Sequence, residues 1–263
     1  MRTWQVVGTS WRAARKGLRV VWFIAAVQLL LNVAALPFVN EAGGASPWVL
    51  LVVAAQFFIL PLIQGGCLSF ANATLLQPPA PFASFSQGAK RLYGKLLGFE
   101  ALSVGIFLLM ALVAALLFGL SLAPAEKAPA LSAVLALLAA VPVAVSIYLI
   151  FLILTMAPAA IAVDNIGPLA GLKKGLAAGR AILVKLTLAT FALGLTLVPV
   201  VLITMIPAFF NAGPTPPGLG WLLTAIVLQS AAGALSMLLF ALAYVQIYRH
   251  HIGRTPAHQG GMP

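Results

Sequence analysis

The side chains able to do chemistry in this 263-residue chain are few and narrow in type. Amides interrupt otherwise apolar runs at Gln28, Asn32, Gln56, Gln64, Asn72 and Gln229. An amide carries two N–H donors and a carbonyl acceptor, and leaving it unpaired in an apolar medium is costly. With Ser146, Tyr148, Thr155, Thr187, Thr190, Thr196, Thr204, Ser230 and Ser236, these groups suit hydrogen bonding between helices, at about 0.6–2 kcal/mol each. A few of them could instead line a polar cavity, and Gln56, Gln64 and Gln229 are the first candidates.

The second chemical set is cationic: Arg12, Arg15, Lys16 and Arg19; Lys90, Arg91 and Lys95; Lys173, Lys174 and Arg180. Lys and Arg clustered in this way suit the phosphates of an anionic lipid surface, or a protein partner. Catalytic patterns are absent from the sequence. It has no H-E-x-x-H, no G-x-S-x-G, no phosphate-binding P-loop and no G-x-G-x-x-G. The histidines, His250, His251 and His258, fall near the C-terminal end without a nearby Cys or carboxylate to complete a metal site. Cys67 is the single cysteine, which excludes an internal disulfide and reads as a packing residue. No catalytic, cofactor-binding or metal-ligating residues are predicted.

These groups must be positioned by membrane helices. The hydrophobic set makes up 62% of the chain and charged residues only 7%, with a mean hydropathy of +1.09. Soluble domains are nearer 45–50% apolar and 25% charged on average, roughly. Six stretches approach or exceed the length of about 20 apolar residues that spans a bilayer core: Val20–Val39, Trp48–Ala71, Leu96–Leu122, Ala130–Val163, Ile182–Phe210 and Leu219–Tyr248. They are continuously apolar and rich in Ala and Leu, so they read as helices rather than as the alternating strands of a barrel. The first run follows a basic stretch, as in a signal peptide. It outlasts the usual apolar region of about 7–15 residues, no small-x-small cleavage site follows, and it reads as a retained span.

All but one of the 15 Lys and Arg residues fall on one side of this arrangement, the exception being Lys127. The positive-inside rule then puts both termini in the cytoplasm. The net charge of +11 is thus a signature of insertion, and no nucleic-acid partner is predicted. Trp48 and Trp221 fall at outer ends, and Trp22, Tyr93, Tyr244 and Tyr248 near inner ends, as interfacial anchors. The outer loops, Asn40–Pro47, Ala123–Pro129 and Asn211–Gly218, are too short to hold a domain. Residues 1–248 read as one membrane domain and 249–263 as a flexible cytoplasmic tail.

Each odd-numbered span is preceded by a basic amphipathic stretch. The apolar stripes are Trp4, Val7, Trp11, Ala14 and Leu18; then Phe82, Phe85, Ala89, Leu92 and Leu96; then Leu169, Leu172, Leu176 and Leu183. Spacings of three and four residues define a helix face. Arg15-Lys16-Gly17-Leu18 also resembles Lys173-Lys174-Gly175-Leu176, which predicts three copies of an interfacial elbow helix followed by a hairpin. Gly167-Pro168 marks the start of the third elbow. Gly94-x-x-x-Gly98 and Gly171-x-x-x-Gly175-x-x-x-Gly179 allow close helix approach. Glu100 is expected to pair with Lys95, Arg91 or Lys185, and Asp164 to cap the third elbow. Pro61, Pro142, Pro158, Pro199 and Pro207 interrupt long apolar runs. Pro61, with Gln64-Gly65-Gly66 after it, reads as a packing kink or, more sharply, as a broken helix exposing carbonyls.

Trp11 through Arg19, Pro61 with Gln64-Gly65-Gly66, Phe85 through Gly98, Pro158 followed by Asp164-Asn165, and Lys173 through Leu176 together resemble an uncharacterised family of bacterial six-helix membrane proteins. That family is related to the membrane domain fused to some glycerophosphodiester phosphodiesterases. The resemblance implies fold and inner-membrane location, and the phosphodiesterase activity does not carry over.

The expectation is therefore an all-α polytopic protein with six transmembrane helices in three hairpins. Its first functional reading is a non-enzymatic scaffold or accessory subunit in envelope or lipid homeostasis, contacting anionic lipids and a membrane protein partner or a second copy of itself. The alternative is a transporter or channel-like permease for a small or lipid-like substrate, using Gln56, Pro61, Gln64, Pro158 and Gln229 as cavity or kink. The topology is directly testable. With Cys67 replaced by serine, single cysteines placed within Asn40–Pro47 should react with a membrane-impermeant maleimide on intact cells. Reaction only after lysis would contradict the orientation.

Overall fold

A computed structural model describes residues 3–35, 47–76, 80–122, 129–210 and 219–252. These residues form eight helices: α1 (Thr3–Lys16), α2 (Leu18–Ala35), α3 (Pro47–Leu76), α4 (Phe82–Leu122), α5 (Pro129–Asp164), α6 (Pro168–Ala181), α7 (Leu183–Phe210) and α8 (Leu219–Ile252). Five helices, α3, α4, α5, α7 and α8, are long and apolar enough to cross a membrane, and α1 with α2 forms a bent sixth candidate. The protein is an all-α polytopic membrane protein.

Two of the three expected elbows are separate helices. The α1–α2 corner bends by 79° at Gly17. A Cβ there would lie 2.8 Å from the Phe70 ring, so glycine lets the corner seat on α3. The α5–α6 corner is made by Asn165 in the left-handed region at φ 55°, a conformation that Asn tolerates better than most residues. Gly167 precedes α6 and Pro168 opens it, where a missing N–H is harmless. The second elbow is not separate: α4 runs unbroken for 41 residues from Phe82. Nothing between Ala89 and Phe99 interrupts its hydrogen-bond ladder, and Gly94 and Gly98 are absorbed within it. The local similarity that suggested a repeat also fails in register, since Gly17 is a corner while Gly175 lies in the middle of α6.

The elbow faces pack on protein rather than only on lipid. In α1 the buried residues are Val6, Val7, Ser10, Ala13 and Ala14, while Trp4 points outward, 66% exposed. Trp11 Nε1 donates to Thr196 Oγ1 of α7 at 3.2 Å, and Thr9 Oγ1 donates to Gln246 Oε1 of α8 at 3.0 Å. In α6 the inward face is Gly171, Leu172, Gly175, Ala178 and Gly179, with Leu169 exposed. The three glycines press on Ile161, Ala157 and Leu152 of α5. The close approach expected of that stripe thus occurs within the chain. The Gly94-x-x-x-Gly98 pair makes no such groove, for nothing lies near Gly94 and Gly98 meets only the Pro168 ring.

The core sits at the end of the bundle that carries α1 and α6. Here α8 is central, with Ala234, Leu238, Leu239, Leu242, Ala243 and Val245 fully buried and neighbours in α1, α2, α3, α5 and α7. Toward the far end, α4 and α5 present Leu108, Leu109, Leu112, Leu116, Leu131 and Leu137 outward, as a surface facing lipid does. Chain order gives three hairpins, but α2 packs mainly on α8 and touches α3 only slightly.

Helix α3 is continuous through Pro61, which is buried. The broken helix is therefore not formed there. Gly65 and Gly66 instead admit Leu92, Leu96 and Phe85 of α4.

A Cβ on Gly175 would fall 2.5 Å from Ala157 N and Cα, and backbone cannot yield as a side chain can. Gly175→Val should therefore cost about 1–3 kcal/mol and lower the melting temperature of the detergent-solubilised protein. Gly194 has nothing within 4 Å of a built Cβ, so Gly194→Ala should leave melting unchanged or raise it. Equal melting of the two variants would contradict the packing.

Candidate functional site

Four of the amides singled out by sequence meet in one cavity. A space of about 530 Å³ is lined by Gln28 and Asn32 of α2, Gln56 of α3, and Gln229 and Ser230 of α8. Leu31, Phe57, Ile59, Leu60 and Ile63 form its apolar wall. It occupies the gap left where α2 leans on α8 and away from α3. Gln28 and Asn32 are four residues apart and so share a helix face, and Gln229 and Gly233 have the same spacing.

Gly233 has a specific part. A Cβ there would come 2.9 Å from Gln28 Oε1, so glycine clears the path by which that amide reaches across α8. Asn32 Nδ2 donates to Ser230 Oγ at 3.2 Å. Ser230 is buried, Gln28 and Asn32 are half-buried, and Gln56 and Gln229 are exposed toward the cavity mouth. Counted along each helix at 1.5 Å per residue, Gln28, Gln56 and Gln229 lie about 14–15 Å from their helix starts. Gln28 is thus just past the middle of α2, while Gln56 and Gln229 lie about a third of the way along α3 and α8. The arrangement can hold a neutral molecule by hydrogen bonds on one side and apolar contact on the other. Its size falls within the usual range of small-molecule sites, about 300–1,000 Å³.

Of the other cavity and kink candidates, Gln64 does not line this space. Its Oε1 is buried without a hydrogen-bond partner among the described residues. Pro61 and Pro158 are buried in helix packing and line it neither. Pro142, Ser146, Thr204, Pro207, Trp48 and Trp221 have side chains outside the described residues, as do Glu41, Glu126, Lys127 and His258.

The cationic candidates stay on the surface. Arg12, Arg15, Lys16, Arg19, Lys90, Arg91, Lys173, Lys174 and Arg180 are exposed, and Lys95 is half-buried. Lys95 does not pair with Glu100. Its Nζ donates to the Asn165 carbonyl at 2.5 Å and to Asn165 Oδ1 at 2.8 Å, because the left-handed corner turns both acceptors toward α4. Asp164 does not cap α6 either, since no side chain caps that helix. Its Oδ2 accepts from Lys174 Nζ at 2.9 Å and from Tyr248 Oη at 2.7 Å. Tyr248 is consequently a core residue, 2% exposed, rather than an interfacial anchor. Tyr244 is half-buried as well, stacked on Phe240. The start assigned to the tail also moves. Arg249 through Ile252 continue α8, and Arg249 Nε donates to Asn72 Oδ1 of α3 at 2.6 Å.

Comparison with known proteins finds no match to a family model, to a curated protein sequence or to a solved structure.

Two bonds to Asp164 differ in burial. Lys174 is 58% exposed, so Lys174→Met should cost no more than about 0.2–1 kcal/mol. Tyr248→Phe removes a part-buried bond to a charged acceptor and should cost more, up to about 1.5–3 kcal/mol. Thermal melting of the two variants should rank them in that order. The reverse order would place the stabilising contact elsewhere.

Proposed function

We propose that this chain is a non-enzymatic protein of a bacterial inner membrane, with both termini in the cytoplasm, that binds a neutral lipid-like or small molecule between α2, α3 and α8. The reading is of permease or carrier type. One observation carries it: Gln28, Asn32, Gln56, Gln229 and Ser230 converge on one cavity of about 530 Å³. Amides are expensive in hydrocarbon, and more of them gather here than one Asn32–Ser230 bond requires. The lining carries no charge, which favours a neutral ligand over an ion. Its apolar wall favours a molecule with an apolar part.

A second reading, a scaffold or accessory subunit in lipid or envelope homeostasis, draws on a different observation. Most Lys and Arg side chains of α1, the start of α4 and α6 are exposed, and a cation at an anionic leaflet can add about 1 kcal/mol of attraction. A membrane protein partner or a second copy would dock on that face.

Native mass spectrometry of the protein released gently from its own membrane separates the two. The cavity reading predicts a bound molecule that is lost in Gln56→Leu/Gln229→Leu while melting is kept. An empty wild-type particle, or equal retention by the variant, would count against it. A stoichiometric protein partner on an empty cavity would favour the scaffold.

A further inference from the structure

The polar side chains of the amide cavity are not equally satisfied. Asn32 Nδ2 donates to Ser230 Oγ at 3.2 Å, whereas Gln28, Gln56 and Gln229 make no hydrogen bond among the described residues. We propose that these three amides select the hydroxyl head of a neutral amphiphile, which reaches the cavity from the bilayer with its apolar chain in the gap between α2 and α3. The proposal rests on the reading of this cavity as a ligand site, and specifies the ligand.

Three observations point to this class. First, a primary amide presents donors and an acceptor together, and the unpartnered amides stand on three different helices. A hydroxyl both donates and accepts, and so serves either half of an amide. An ester or ketone only accepts and leaves the glutamine carbonyls unmet, and a site built around a hydroxyl rejects the analogue lacking it. Second, the described lining carries no charged side chain. A phosphate or ammonium head entering it would lose its hydration without meeting an opposite charge, which separates a neutral alcohol from charged phospholipids. Third, the α2–α3 side of the cavity is apolar and open. Leu31 and Leu60 line it, Leu60 is 45% exposed, and Leu30 beside it on α2 is 71% exposed. Helix α2 touches α3 only slightly, and a gap between two spanning helices faces acyl chains rather than water.

An apolar chain has a competing place to settle. A space of about 580 Å³ lies between α4 and α5, and its described lining is apolar throughout, with Ala136, Ala140 and Ala144 along one helix. That groove offers nothing to a head group, so selectivity for the head separates the two sites.

The test offers three probes to the full-length protein in phosphatidylcholine nanodiscs, a lipid whose head has no hydrogen-bond donor. The probes are oleoylglycerol, methyl oleate with a comparable chain but no donor, and glycerol without a chain. Native mass spectrometry should find one oleoylglycerol retained, at least about tenfold more tightly than methyl oleate, and no glycerol. Gln56→Leu/Gln229→Leu should lower oleoylglycerol to the level of methyl oleate. A Cβ on Gly233 would fall 2.9 Å from Gln28 Oε1, the end of a flexible side chain. Gly233→Ala should therefore keep melting while weakening oleoylglycerol severalfold, which serves if the double variant does not fold. A chain-borne diazirine on oleoylglycerol should label peptides of α2 and α3. Equal retention of methyl oleate, or glycerol held as tightly, would overturn the hydroxyl amphiphile while leaving a ligand site in place, provided the amide variants lose that binding. Oleoylglycerol binding unchanged in the amide variants, or labelling confined to the α4–α5 groove, would overturn the proposal. Retention of none of the probes would overturn it as well, and the molecule carried from the native membrane then decides the ligand-site reading separately.

Discussion

In hydrocarbon, a polar side chain must find its partner inside the protein. The rest of this structure is arranged around that constraint. Hydroxyls on the helices return to their own backbone, as Thr74 does to Phe70 and Ser103 to Phe99. Amides cannot be satisfied so locally, because each carries donors and acceptors on a long side chain. They are gathered where α2, α3 and α8 diverge. Gly233 makes room for one of them, and Ser230 takes another. A bundle selected only for packing would place leucine at these positions and close α2 onto α3.

That open wedge is tolerated because the other end of the bundle is tightly joined. Glycines 171, 175 and 179 bring α6 into near-backbone contact with α5. Gly17 does the same for the first corner against Phe70. Polar contacts then tie the ends of the helices: Lys95 to Asn165, Tyr248 to Asp164, and Arg249 to Asn72. With α8 held by five neighbouring helices along its length, it can present Gln229 and Ser230 to a cavity without the helix drifting.

Much of this was legible in the sequence. Span positions follow from apolar length alone: four expected spans lie within α3, α4, α5 and α8, Ile182–Phe210 starts one residue before α7, and Val20–Val39 overlaps α2 as far as Ala35, its remainder lying outside the described residues. Gln56 and Gln229 were identifiable because an amide within an apolar run has few cheap explanations. Other features were hidden for physical reasons. An apolar stripe weights large side chains, so Leu169 was assigned to the apolar face of α6 although it is exposed. The glycine spacing announced the close approach, but not that its partner would be α5 of the same chain. Gln64 and Pro61 had the same local signal as Gln56, but only the divergence of α2 from α3 decides which of them meets a cavity. Tyr248 has the composition of an interfacial anchor, and only the return of α5 to α8 gives it Asp164 as a partner. The fusion of the second elbow to α4 turns on the absence of a break, which no motif announces.

The central claim is that the wedge between α2 and α3 is an occupied polar site rather than a packing defect. The most direct measurement is a cryo-electron microscopy map of the protein in nanodiscs made from its native lipids, at a resolution that resolves amide side chains. The account predicts ordered non-protein density within hydrogen-bonding distance of Gln28, Gln56 and Gln229, with α2 and α3 held apart. Closure of α2 onto α3, with these amides bonded to one another and no space between, would contradict it.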